Sequence, residues 1–205
     1  MKKSGTMMLV GVDEVGRGPL AGPVAVGIVT FPKYLEHKVL KVFGEVKDSK
    51  KLSEKERNVW FKKINTLKKE GVLEYKVLYK SPLFIDTHGI SKAIKSCMKT
   101  GLTQLAPDTH LCEIRLDGSL YAPTEYVYQK TIIKGDEKEI VIALASIVAK
   151  VSRDRLMVRS AKKYPYYAFE RHKGYGTLEH RLSIQTYGLS AFHRRSFCTR
   201  FTAEK

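Results

Sequence analysis

The sequence predicts an α/β fold, a mixed sheet of five strands covered by helices on both faces, with a helical C-terminal extension. Three observations carry that prediction. Five short runs, at 7–12, 24–31, 72–80, 111–116 and 126–133, have the length and apolar or alternating character of strands and stop at glycine, proline or charged turns. Helical patterning falls between and after these runs, not in a separate half of the chain. The helix predicted over 138–163 is so apolar at its start that it must be buried on most sides.

The first two strands are buried runs joined by Gly16-Arg17-Gly18-Pro19-Leu20-Ala21-Gly22-Pro23. Asp13 and Glu14 sit where the first strand ends. Neighbouring side chains of a regular strand point to opposite faces, so both acids serve one site only if the strand breaks up there, as the glycines predict. Residues 32–46 read as irregular chain or a short helix. Ser53 followed by Glu56 is a capping box, opening a helix whose apolar face is Trp60, Phe61, Ile64 and Leu67. The third strand follows at 72–80. Ser81-Pro82 predicts a turn before a second helix over 87–105. The fourth strand stops at Asp117-Gly118 and the fifth at Lys134-Gly135-Asp136. After the long helix come His172-Lys173-Gly174-Tyr175-Gly176-Thr177, a helix at 178–187, and a basic close, His193-Arg194-Arg195-Ser196-Phe197.

Composition narrows the function. The chain of 205 residues can bury one sizeable core, and 43% hydrophobic with 28% charged residues is an ordinary globular balance. Thirty-seven Lys and Arg against 21 acids leave +16, which points to a polyanionic partner, with nucleic acid ahead of lipid. The longest apolar run, 140–149, is too short to cross a bilayer, so no membrane partner is expected. A cleaved leader would remove the most informative residues, and that reading is rejected. Cys97, Cys112 and Cys198 are odd in number and far apart, as expected of reduced thiols in a cytoplasmic protein. No long apolar surface stripe argues for a dimer, so a monomer is expected.

Asp13, Glu14, Asp117 and Asp136 each fall at or just after the end of a predicted strand. If those strands are neighbours, the four carboxylates meet at one sheet edge, where α/β folds place their sites. Hard oxygen ligands suit Mg2+ or Mn2+, and a cation relieves the mutual repulsion. Asp154 is a rival, 18 residues beyond Asp136 and on the same helical face. A continuous helix would hold the two about 27 Å apart, too far to share an ion pair site. The arginines flanking Asp154 make it the ion-pairing residue, and Asp136 the ligand. The glycine loop has spacing G-x-G-x-x-x-G and a strand follows it, which excludes a dinucleotide fingerprint. Backbone approach to a sugar-phosphate, with Arg17 for charge, is the better use. Tyr175, between glycines in a basic segment, is placed to stack on a nucleotide, although a loop aromatic needs no such role. The histidines form no H-x-x-x-H pair, against histidine-based metal binding.

The run Asp13-Glu14-Val15-Gly16-Arg17-Gly18-Pro19-Leu20-Ala21-Gly22-Pro23 closely resembles the opening motif of bacterial type 2 ribonuclease H, ribonuclease HII. So do Asp48-Ser49-Lys50-Lys51-Leu52, Leu116-Asp117-Gly118, Lys134-Gly135-Asp136, the segment 145–151 with Arg153-Asp154, and the two C-terminal motifs quoted above. The resemblance spans nearly the whole chain in order. It implies the ribonuclease H-like fold, with a catalytic part at 1–165 and a helical, basic extension at 166–205 packed on it as one unit. It also implies a metal-dependent endoribonuclease that hydrolyses the RNA strand of RNA–DNA hybrids and cuts 5′ of single ribonucleotides embedded in duplex DNA. Two-metal catalysis with Mg2+ or Mn2+ would leave 5′-phosphate and 3′-hydroxyl ends. By the same resemblance Asp13, Glu14, Asp117 and Asp136 are the catalytic and metal-binding acids, Gly16, Arg17 and Gly18 read the ribose 2′-hydroxyl, and Tyr175 packs on the sugar. Departures are small: Gly188-Leu189-Ser190 replaces the more usual Gly-Pro-Ser, and Ile142-Ala143-Leu144-Ala145 a run of alanines. Two other readings stay open: a non-catalytic basic nucleic-acid binder, which gains nothing from carboxylates facing phosphates, and a structure-selective DNA resolvase, which need not read a 2′-hydroxyl.

Overall fold

The computed structural model describes residues 5–44 and 52–202. All of the motif at 48–52 except Leu52 therefore lies outside the described residues.

Five strands, β1 (Met8–Val15), β2 (Val24–Pro32), β3 (Glu74–Lys80), β4 (Cys112–Asp117) and β5 (Gln129–Ile132), form one sheet in the order β3-β2-β1-β4-β5. β1, β2 and β3 pair antiparallel, whereas β4 lies parallel to β1 and β5 parallel to β4. The sheet is mixed because a short glycine turn joins β1 to β2, whereas helical chain at 82–105 leads into β4 and an irregular crossover at 118–128 leads into β5.

The helices are α1 (Glu36–Phe43), α2 (Glu54–Lys69), α3 (Pro82–His88), α4 (Ile90–Leu105), α5 (Ile140–Ala161), α6 (Phe169–His172), α7 (Leu178–Tyr187) and α8 (Arg195–Thr202). α1, α2 and α5 cover one face, burying Leu9, Val29 and Phe31 under Ile64, Leu144 and Val148. α4 covers the other, over Val10, Val12, Ile114 and Leu116. Alternate residues of β1 thus enter different cores, as the period of two demands. α5 is buried along its first half because it lies almost on the sheet backbone. A Cβ at Gly11 or Gly27 would overlap the carbonyl of Val141 or Ala145, so only glycine admits the helix at that depth.

The capping box forms as expected: Ser53 Oγ accepts from Glu56 N at 3.2 Å, and Glu56 Oε2 accepts from Ser53 N at 2.7 Å. Two expectations are corrected. The first strand does not break up at Asp13-Glu14; it stays paired with β2 through Val15, because the glycine turn starts only at Gly16. Ser81-Pro82 is no simple turn but the cap and first residue of α3, with Ser81 Oγ accepting from Phe84 N; Gly89 then separates α3 from α4. Proline at the first helical position loses no hydrogen bond that the helix would use. In the basic close, His193 and Arg194 are buried. All three cysteines are buried and outside any disulfide.

Candidate active site

The register Val12↔Leu116 between parallel β1 and β4 makes Asp13 and Asp117 next neighbours at adjoining strand ends. Gly11 lies beneath α5, so Asp13, two residues on, faces the same helix. There the Ser146 side chain hydrogen-bonds the Asp13 carboxylate, which is only 4% exposed. Leu116 enters the opposite core, which puts Asp117 on the α5 face too. Asp117 Oδ1 accepts from the Gly135 N–H at 2.6 Å, pinning the 3-10 turn Gly135–Glu137 that carries buried Asp136 against the end of β4. Arg115, on the same face of β4, pairs with Glu139 at 2.5 Å and with Glu36 at 2.7 Å, fixing the chain where α5 begins. Glu14 belongs to the other face, but at the strand end its carboxylate bonds Arg17 Nη1 at 3.1 Å.

The electrostatics follow from this crowding. Burial raises the Asp13 pKa well above the usual carboxylate range, and the charges of Glu14, Asp117 and Asp136 raise it further, against the Ser146 hydrogen bond. Burial also raises Glu14, with the Asp117 charge adding to it and Arg17 opposing. The four predicted acids therefore stand within electrostatic reach of one another. Asp154 does not join them. It pairs with Lys150 at 3.0 Å; of the flanking arginines, Arg155 bonds Asn58 and Arg153 turns to backbone carbonyls.

An all-carboxylate oxygen set around a desolvated, proton-hungry acid fits Mg2+ or Mn2+ by donor chemistry. Among the described residues, however, no three Asp, Glu, His or Cys side chains stand as a preassembled metal cluster. Three of the acids are occupied locally: Glu14 with Arg17, Asp117 with Gly135, and Asp13 with Ser146 and the Glu14 N–H at 2.8 Å. Mutual repulsion and a tight ligand cluster are different tests. Repulsion acts over several ångströms, so the acids can couple without converging, and gripping a cation asks first for side-chain rotation.

The glycine loop stands beside the acids. Gly16 has φ +87°, and a Cβ there would run into the Arg153 side chain. Gly18 is open to solvent. Tyr175 is 41% exposed, with Lys150 Nζ 6.0 Å from its ring centroid. Its loop is stitched to the glycine loop by Leu20 N donating to Gly174 O at 2.8 Å, and the turn before α8 by Gly22 N donating to Phe192 O at 2.8 Å. The sequence reading missed two groups that hold this arrangement, buried Arg153 and Arg194, and also Ser146. From sequence, Arg153 reads only as an ion-pair partner of Asp154 and Arg194 only as part of a basic close, and their lack of exposure is what marks them out.

Comparison with known proteins agrees with this geometry. A family model described as Ribonuclease HII matches residues 10–200. The ribonuclease HII of Bacillus cytotoxicus is 41% identical over 199 residues, 96% of this chain and 71% of its own length. That of a Sulfurihydrogenibium species is 42% identical, over 92% of this chain and 89% of its own. The crystal structure of ribonuclease H2 from Pyrococcus horikoshii OT3 superposes with TM-score 0.73 at 25% identity, covering 97% of this chain and 100% of that one. A Bst-RNase HIII solved in complex with Mn2+ shares the fold, with TM-score 0.61 at 16% identity over 98% of this chain and 72% of its own. A sheet in this order, acids at the ends of its central strands, and a match running through nearly every residue place the chain in one enzyme family: it belongs to the ribonuclease HII family.

Proposed function

We propose that the protein is an endoribonuclease that recognises the 2′-hydroxyl of a ribonucleotide in an RNA–DNA hybrid or in duplex DNA and hydrolyses the phosphodiester on its 5′ side. The observation that carries this reading is the neighbouring placement of Asp13 and Asp117 on parallel strand ends, with Glu14 and Asp136 in electrostatic reach. Asp13, Glu14, Asp117 and Asp136 are the residues that would hold divalent metal. When bound there, Mg2+ or Mn2+ supplies Lewis-acid activation of water and charge relief at the scissile phosphate.

The chain's own groups do the rest. Ser146 orients the Asp13 carboxylate, and the Gly135 N–H fixes Asp117. Hydrolysis adds water across the P–O3′ bond, leaving 5′-phosphate on the ribonucleotide and 3′-hydroxyl on its neighbour. The 2′-hydroxyl is read, not consumed, since it alone separates RNA from DNA at one position. Gly16, Arg17 and Gly18 read it, and the partly exposed Tyr175 ring packs on the sugar. The positive balance of +16 holds phosphates of both strands, in a salt-dependent way. Residues 1–165 supply this chemistry, and 166–205 supply the Tyr175 loop and its support. The protein acts as a cytoplasmic monomer.

The test is one gel. A duplex with a single ribonucleotide and its all-DNA twin are incubated with and without Mg2+. Cleavage 5′ of the ribonucleotide, only with metal and only in the first duplex, is expected. Equal cutting of both duplexes would favour a DNA resolvase, and binding without cutting a passive nucleic-acid binder.

A further inference from the structure

Two fully buried arginines, Arg153 on α5 and Arg194 just before α8, form no ion pair with a carboxylate among the described residues. Arg194 donates to Gly16 O at 2.7 Å, Arg17 O at 2.9 Å and Gly22 O at 2.9 Å. Arg153 donates to Pro23 O at 2.9 Å, Ala21 O at 3.2 Å and Lys173 O at 3.0 Å. The Arg194 backbone N–H takes Leu20 O at 2.8 Å as well. Between them the two side chains consume the carbonyls on both sides of the glycine loop and one from the Tyr175 loop. By contrast, the N–H groups of Gly16, Arg17 and Gly18 bond to no acceptor among the described residues.

With the carbonyls of Gly16, Arg17 and residues 20–23 held by these two arginines, the N–H groups of residues 16–18 are left as the loop's unused donors, and two buried positive charges lie beside them. Burying an unpaired guanidinium is costly, and only dense hydrogen bonding sustains it. Burial, with the neighbouring Arg153 charge, pushes the Arg194 pKa down to about 9, which still leaves it charged at neutral pH. A fold that needed only a covered turn would meet those carbonyls with neutral donors at less cost. A preset donor surface for an electron-rich oxygen is what the two cations add. The support is itself anchored, because Asp86 of α3 accepts from Arg195 N at 2.9 Å and Ser196 N at 3.0 Å, capping α8 directly after Arg194.

We infer that Arg153 and Arg194 are positioning residues for ribonucleotide recognition: by drawing the loop's carbonyls inward they aim the N–H groups of Gly16, Arg17 and Gly18 at the ribose 2′-oxygen and its adjoining phosphate. This rests on the proposed function, which assigns that loop to the sugar. Lysine keeps the charge but cannot fork across three carbonyls.

Binding is measured without divalent metal, so the strands stay intact, for the single-ribonucleotide duplex and its all-DNA twin. Wild type prefers the ribonucleotide. In Arg194→Lys and Arg153→Lys that preference falls about tenfold or more while affinity for the all-DNA duplex stays within about twofold. A merely structural lesion weakens both together. A second measurement needs no variant: amide resonances of Gly16, Arg17 and Gly18 in wild type shift with the ribonucleotide duplex and not with DNA. Lysine variants that keep the preference, or equal amide shifts with both duplexes, overturn the inference. Wild type that neither prefers nor cuts the ribonucleotide duplex overturns the functional reading instead.

Discussion

The backbone N–H of Gly135 donates to Asp117 Oδ1 at 2.6 Å, and this one bond ties the turn carrying Asp136 to the end of β4. A Cβ at Gly135 would stand 2.5 Å from Ile142 Cδ1 and 3.4 Å from that same carboxylate oxygen. Gly135→Ala should therefore displace the turn, lowering kcat by at least about tenfold for a stability loss of about 1–3 kcal/mol. Steady-state kinetics and a denaturant titration check both; unchanged kcat in a destabilised protein would separate Asp136 from the chemistry.

Asp13 is buried among like charges, so its removal should separate stability from function. Asp13→Asn is expected to abolish cleavage and leave hybrid binding largely intact. Without metal it should raise Tm, since the amide keeps an acceptor for Ser146 and sheds a buried charge. A gain of about 1 kcal/mol corresponds to roughly 2–4 °C for a chain of this size. The sign is fixed by linkage. A carboxyl whose folded pKa is raised costs stability as pH rises past its unfolded value, so the neutral amide helps most near neutrality. Adding Mg2+ should raise the wild-type Tm and not that of the variant.

His172, His180 and His193 meet in the interior although no spacing in the sequence pairs them. His172 and His180 stack at 4.4 Å, and His180 Nε2 lies 3.1 Å from His193 Nε2. One set of neutral tautomers satisfies the contacts: His180 Nδ1–H donates to Tyr175 O, His193 Nε2–H to His180 Nε2, and Ser190 N–H to His193 Nδ1. Burial pushes the pKa of both His180 and His193 down to about 4. The unfolded chain takes up protons below about 6.5, before the folded one does. Stability should be full above about pH 6.5 and fall as pH drops toward 4, by at most about 2 kcal/mol per ring at pH 5. Urea midpoints across that range test this, and a flat profile would contradict it. Because His180 and His172 bond the backbone at Tyr175 and Gly174, protection from hydrogen exchange in that loop should fall in parallel.

Arg17 is half exposed and its pairing with Glu14 at 3.1 Å contributes little to the fold. Arg17→Ala should change stability by less than about 0.5 kcal/mol yet reduce cleavage at a single ribonucleotide about tenfold or more. Equal activity in this variant would leave recognition to the backbone alone. Ser53→Ala is the opposite control: loss of the cap should cost about 1 kcal/mol with kcat unchanged.

Much of this protein was readable from residue order because the signals are local. Alternation and apolar length marked the strands, Ser53 and Glu56 marked a helix start, and the opening motif carried the family resemblance. Where local signals competed, order alone misled. Glycines after Glu14 suggested a broken strand, but pairing with β2 holds β1 extended through both acids, beyond the point where its pairing with β4 ends at Val12. Ser81-Pro82 fits a turn and a helix start equally well, and the packing of Ile85 in the core decided for the helix.

By itself, then, the sequence determined the kinds of element, the acids at their ends and the positive charge that seeks phosphate. Only the tertiary structure decided that Asp13 and Asp117 stand side by side, since strand order depends on burying both faces of the sheet at once. It also decided that Arg153 and Arg194 serve carbonyls instead of solvent or carboxylates, and that three scattered histidines share one hydrogen-bonded stack. A side chain's partner across more than a hundred residues is a product of chain closure, and no local pattern encodes it.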